Sequence, residues 1–114
     1  MTHTAQVDRY RATADRLLAA IPAQAQARAA YELARDTYED RRQTLILAAT
    51  QTEGVRVPAD VRDARLNAVL ASELTEMRAA RDALRAADAE WEAAKVEERA
   101  EREALRSLQL AAAQ

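Results

Sequence analysis

Large apolar residues recur at seven-residue intervals along most of the chain. One series runs Tyr10, Leu17, Gln24, Tyr31, Tyr38, Leu45 and Thr52. Three positions after its central members stand Ala20, Ala27, Ala34 and Ala48, with Arg41 interrupting. A second series runs Leu70, Met77, Leu84, Trp91, Glu98 and Leu105, shadowed three positions on by Glu73, Ala80, Ala87, Ala94, Glu101 and Leu108. A seven-residue repeat of this kind keeps one stripe of a helix facing a partner, so the pattern predicts two long α-helices, each with a coiled-coil-like seam. Alternating large and small seam residues let two such helices approach closely, large side chains filling over alanines. Leu66, Leu74, Ile21 and Ile46 flank the seam and widen it.

The two series are separated by Glu53-Gly54-Val55-Arg56-Val57-Pro58. Gly54 suits the left-handed residue that closes a helix, and Pro58 suits the first helical position, where its missing N–H is no loss. Asp60 would then fall at the third helical position, its carboxylate beside the positive end of the helix dipole. Val57 is a poor cap. The expected architecture is all-α: one domain over residues 1–114, with a helix over about 4–52, a turn at 53–58 and a helix over about 58–110, folded as a long antiparallel hairpin. Each helix would be roughly 75 Å long at 1.5 Å per residue. With the turn near residue 56, facing residues have numbers adding to about 112, which sets Trp91 opposite Ile21 and Pro22 and Tyr38 opposite Leu74.

Pro22 disturbs this picture, because an internal proline removes a hydrogen bond and costs about 3 kcal/mol. The first helix is therefore expected either to kink there or to break at 21–22 into helices over 4–20 and 23–52; the unbroken heptad phase from Leu17 to Tyr31 favours the kink. Charge agrees with antiparallel pairing. Residues 1–30 carry Arg9, Arg11, Arg16 and Arg28 against Asp8 and Asp15, whereas residues 86–104 carry seven acids against Lys95, Arg99 and Arg102. A hairpin brings those two stretches together, though each exposed pair is worth well under about 1 kcal/mol. A two-helix pair covers each seam from one side only, so homodimerisation into a helical bundle is expected.

Composition narrows the field further. One Gly and two Pro in 114 residues leave few turns, which argues against a sandwich or an α/β fold. Charged residues make up 32%, yet the net charge is only −2, so no polyanion-binding tail is indicated. Cysteine is absent, which excludes disulfides and thiol chemistry and fits a cytoplasmic protein. No apolar run approaches membrane-spanning length, and Met1-Thr2-His3-Thr4-Ala5-Gln6-Val7-Asp8 does not read as a secretory signal, so no membrane association is expected.

Candidate chemistry is sparse. His3 is the only histidine and sits near the terminus, so a role as ligand or catalyst is not expected of it. Carboxylates are plentiful on the second helix (Glu73, Glu76, Glu97, Glu98, Glu101), but a bundle di-metal site needs Glu-x-x-His, which the sequence lacks. Glu73, Glu98 and Glu101 fall on the seam, where they are either solvated or paired with Arg in a register-fixing contact. Tyr10, Tyr31 and Tyr38 alternate with Arg9, Arg11, Arg28, Arg35, Arg41 and Arg42, an arrangement that can hold single-stranded nucleic acid. The tyrosines occupy seam positions, however, and Glu32, Asp36, Glu39 and Asp40 lie among the arginines, so core tyrosines beside a mixed-charge face are the better reading. One glycine cannot build a phosphate-cradling loop.

The stretch Thr52-Glu53-Gly54-Val55-Arg56-Val57-Pro58-Ala59-Asp60-Val61-Arg62-Asp63-Ala64-Arg65-Leu66-Asn67-Ala68-Val69-Leu70, followed by an Ala/Glu/Arg-rich helix ending in Leu105-Arg106-Ser107-Leu108, resembles small helical-hairpin proteins of bacteriophages and prophages. The resemblance covers residues 40–110, departing from the pattern where Val57-Pro58 replaces the usual polar residues. It implies a gene beside replication or recombination functions and no enzymatic activity. The expected function is thus a non-enzymatic helical interaction protein, without cofactor or metal, whose partner is another protein. Its packing seam would consist of Tyr10, Leu17, Tyr31, Tyr38, Leu45, Leu70, Met77, Leu84, Trp91 and Leu105. A nucleic-acid-binding accessory protein and a small inhibitor or antitoxin-like protein are the alternatives.

Overall fold

The computed structural model describes residues 2–53 and 58–113, with residues 50–53 described by their backbone alone. Every element among these residues is helical: α1 spans His3–Glu53, α2 spans Ala59–Val69 and α3 spans Ala71–Ala113. Gly54 and Val57 lie outside the described residues, as does most of the expected turn at 53–58; Glu53 is still helical.

Thr2 caps α1. Its side-chain oxygen accepts a hydrogen bond from the Ala5 N–H at 3.2 Å, satisfying one of the amides that open a helix without an internal partner. Gln6 N–H then reaches the Thr2 carbonyl at 3.1 Å, so the hydrogen-bond ladder begins at once. From there α1 runs unbroken through Pro22, so the break at 21–22, the less favoured of the two expectations, is not observed. The reason is positional. Pro22 is exposed, and the carbonyl it leaves without a partner belongs to Leu18, itself 65% exposed, so solvent can serve that group. On the opposite side of the same turns, Ala20 and Gln24 are buried and hold the helix in place.

Pro58 takes the capping position rather than the first helical one, with φ −56° and ψ 142°. Its carbonyl accepts from the Arg62 N–H at 3.0 Å, and Asp60 consequently sits in the second helical position instead of the third. The second predicted helix is divided at Leu70, whose φ of −95° and ψ of 12° fall in the bridge region beside the helical basin. The ladder nevertheless continues on both sides: Leu70 N–H donates to the Leu66 carbonyl and Leu74 N–H to the Leu70 carbonyl, each at 2.9 Å.

The chain forms two compact units, residues 1–27 with 84–114 and residues 28–83. In the first, α1 and α3 run antiparallel. As the α1 position rises from Gln6 through Tyr10 to Gln24, its hydrogen-bond partner falls from Glu101 through Glu98 to Asp88. The centre of this unit is made of small and polar groups, with Ala94 fully buried and Ala20, Gln6, Thr13 and Gln24 almost so. In the second unit, Leu66 and Leu70 are buried, and the start of α3 returns alongside α1 through Arg41 and Glu73.

Candidate interaction surface

The seam residues read from sequence fall on the protected side of their helices. Leu70 is fully buried, whereas Tyr10, Leu17, Tyr31, Tyr38, Leu45, Met77, Leu84, Trp91 and Leu105 are half-buried. On α3 the companion positions Glu73, Ala80, Ala87, Ala94, Glu101 and Leu108 are all at least half-buried. On α1 the companions hold through Ala34, but Ala48 is exposed and the protected stripe has moved to Arg42, Ile46 and Ala49. A straight helix of 3.6 residues per turn drifts about 20° per heptad against a seven-residue repeat, which accounts for a step of one residue along so long an element. Ile21 and Pro22, expected level with Trp91, are exposed; Lys95 covers the Trp91 ring from 4.4 Å.

Sequence periodicity missed the polar members of the seam at the N-terminal end, Gln6 and Thr13. Gln6 donates through its side-chain amide to the Glu101 carboxylate at 2.6 Å and to the Glu101 carbonyl at 3.3 Å. The Thr13 hydroxyl donates to the Tyr10 carbonyl at 2.8 Å. Gln24 donates to Asp88 at 2.9 Å, and the Tyr10 hydroxyl donates to Glu98 at 3.2 Å. Buried polar groups without such partners are costly. The signal in the sequence was available but oblique: Gln6 and Thr13 keep heptad step with Ala20 and Ala27.

Arg16 makes a forked ionic contact between α1 and α3. Its guanidinium grips Glu90 with two parallel bonds of 2.6 and 2.9 Å and reaches Glu97 as well. This fork geometry suits carboxylates and is the strong form of the pair. The Glu90 carboxyl is held below its usual range by hydrogen bonding to Arg16, and the Arg16 guanidinium is raised by the same bond. In the other unit, Arg41, the interruption of the α1 series, pairs with Glu73, the acid on the α3 series. Arg42 lies 3.7 Å from Asp63. Glu73 Oε2, Arg62 Nε and Arg81 Nε are buried without hydrogen-bond partners. Beside Arg62 a groove of about 340 Å³ is lined by Leu45, Ala48, Ala49, Arg65, Leu66 and Val69.

Among the described residues, no group of three or more His, Cys, Asp or Glu side chains could hold a metal ion, and no helix is long and apolar enough to cross a membrane. Comparison with protein-family models, with characterised proteins and with solved structures gives no significant match.

Proposed function

We propose that the chain is a non-enzymatic helical interaction protein that acts through protein–protein contacts and associates with itself as a helical bundle. The observation carrying this reading is the incompletely covered seam. Apart from Leu70, the large seam side chains stay half-exposed, and the buried apolar residues among the described ones number four: Ala20, Leu66, Leu70 and Ala94.

Of the arginines interleaved with the tyrosines, Arg35, Arg41 and Arg42 are turned to carboxylates, and the Tyr31 face is occupied by Arg35 at 5.7 Å. That weighs for a protein partner over a phosphate backbone. A phage or prophage origin rests on the resemblance of residues 40–110, and a cytoplasmic setting on the absence of cysteine. Sedimentation velocity across micromolar concentrations, together with circular dichroism, tests the reading. A helical dimer is expected, and a monomer at every concentration would refute it. A pull-down from the native host would identify any further partner.

A further inference from the structure

Three arginines that reach across to a neighbouring helix are met there by acids: Arg16 by Glu90 and Glu97, Arg41 by Glu73 and Arg42 by Asp63. Arg62 on α2 differs. Its Nε is buried without a hydrogen-bond partner. The residues three and four positions from it, where an ion-pair partner on the same helix would stand, are Pro58, Ala59, Arg65 and Leu66, none of them acidic. Nor does α1 carry any charge from Gln43 to Thr52.

Arg62 lines the groove of about 340 Å³ within residues 28–83. Leu45, Ala48 and Ala49 make its α1 wall, at i, i+3 and i+4 of one helical face. Leu66 and Val69 make the α2 wall, with Arg62 and Arg65 on the same face. The described lining is therefore apolar with two guanidinium groups and no carboxylate. A buried donor without an acceptor is costly, and a carboxylate is the partner that a guanidinium bonds most strongly.

We infer that this groove binds a small amphiphilic carboxylate. The ligand's apolar chain lies between Leu45, Ala48 and Ala49 on one side and Leu66 and Val69 on the other, and its carboxylate accepts from Arg62. Small-molecule pockets hold about 300–1,000 Å³, largely apolar with a few polar groups that fix orientation. This groove sits at the lower end of that range. It takes a medium-length acyl chain, whereas a partner helix about 10 Å across does not fit inside it. The site is separate from the seam and does not depend on self-association.

Calorimetric titration with decanoate, kept below its micelle-forming concentration, tests the assignment on the full chain. Decanoate should bind saturably, one per chain, and decanol at least about tenfold more weakly. Arg62→Met keeps the aliphatic stem and should weaken decanoate at least about tenfold while leaving decanol unchanged. Ala48→Leu narrows the groove and should weaken both ligands, with helical dichroism retained. Absence of saturable decanoate binding overturns the proposal. So does decanol binding as tightly as decanoate, or an Arg62→Met variant that binds decanoate like the parent. Sedimentation velocity on the same samples judges self-association separately. A dimer that dissociates on Ala48→Leu would put a second copy in the groove and overturn the small ligand.

Discussion

Leu70 is the best place to probe what holds residues 28–83 together. Among the described residues it is the one large side chain with no exposed surface, and its neighbour Leu66 is 6% exposed. Truncating it to alanine removes three carbons, about 2.4 kcal/mol at ~0.8 kcal/mol for each buried methylene. The space left behind adds a cavity term, taking such substitutions to about 2–5 kcal/mol. Leu66 also borders the open groove at Leu45 and Val69, which gives the surroundings room to settle, so a value of about 3 kcal/mol is expected. With a urea dependence of roughly 1.5–2 kcal/mol per molar, the midpoint should fall by about 1.5–2 M. Circular dichroism at the helical band during urea titration measures this, with the dependence checked to be unchanged. Leu110→Ala, at a residue 59% exposed, serves as the control and should stay within about 0.5 kcal/mol of the parent. A Leu70→Ala loss below about 1 kcal/mol would show that Leu70 does not anchor a packed core, and the account of this unit would be wrong.

Three further outcomes follow from the same geometry. Pro22→Ala restores the hydrogen bond to the Leu18 carbonyl within a continuous helix and should raise the thermal midpoint, with a gain of about 1–3 kcal/mol; a decrease in stability of the isolated chain would refute the account of α1. Glu73→Arg should destabilise by placing two cations together, and adding Arg41→Glu should recover much of the loss. A double-mutant cycle should give a coupling of about 0.5–1 kcal/mol, because Arg41 is largely solvated, and zero coupling would mean that the pair does not form in solution. Because Glu90 has a lower pKa folded than unfolded, its contribution is present above the unfolded carboxylate range and is lost as pH falls through it. Acid titration from about pH 6 to about pH 3 should therefore show a shallower stability decline in Arg16→Gln than in the parent; identical slopes would rule out the Arg16 contact as the cause.

The helices and the stripe they turn inward were legible because a seven-residue repeat of Tyr, Leu, Met and Trp over small companions admits little else. Gln6 and Thr13 were not, since polarity alone reads as solvent exposure; the acceptor that lets each be buried comes from the neighbouring helix for Gln6 and from the Tyr10 carbonyl of the same helix for Thr13. Arg41 and Glu73 each stood out as faults in their own series; what periodicity could not say was that the two faults meet. Pro22 was read for its intrinsic penalty, whereas the outcome depended on which side of the helix it occupied. The division at Leu70 has no local signature, because leucine is a good helix former and both flanking hydrogen bonds persist.

The polar contacts within the seam have a consequence for folding errors. A heptad pattern nearly repeats itself when one helix slides by seven residues along the other, so apolar packing alone discriminates poorly between the native alignment and its shifted relatives. Gln24 moved by one repeat would face Lys95 or Arg81 in place of Asp88, exchanging its acceptor for a donor that only its amide oxygen could meet. Gln6 would meet Leu108 or Ala94 in place of Glu101. Each shifted alignment strands the buried Gln6 amide and removes the acceptor of Gln24, both of which the native one satisfies. Gln6 and Gln24 thus act as alignment marks on an otherwise repetitive rail, raising the energy of the misregistered states rather than deepening the native one.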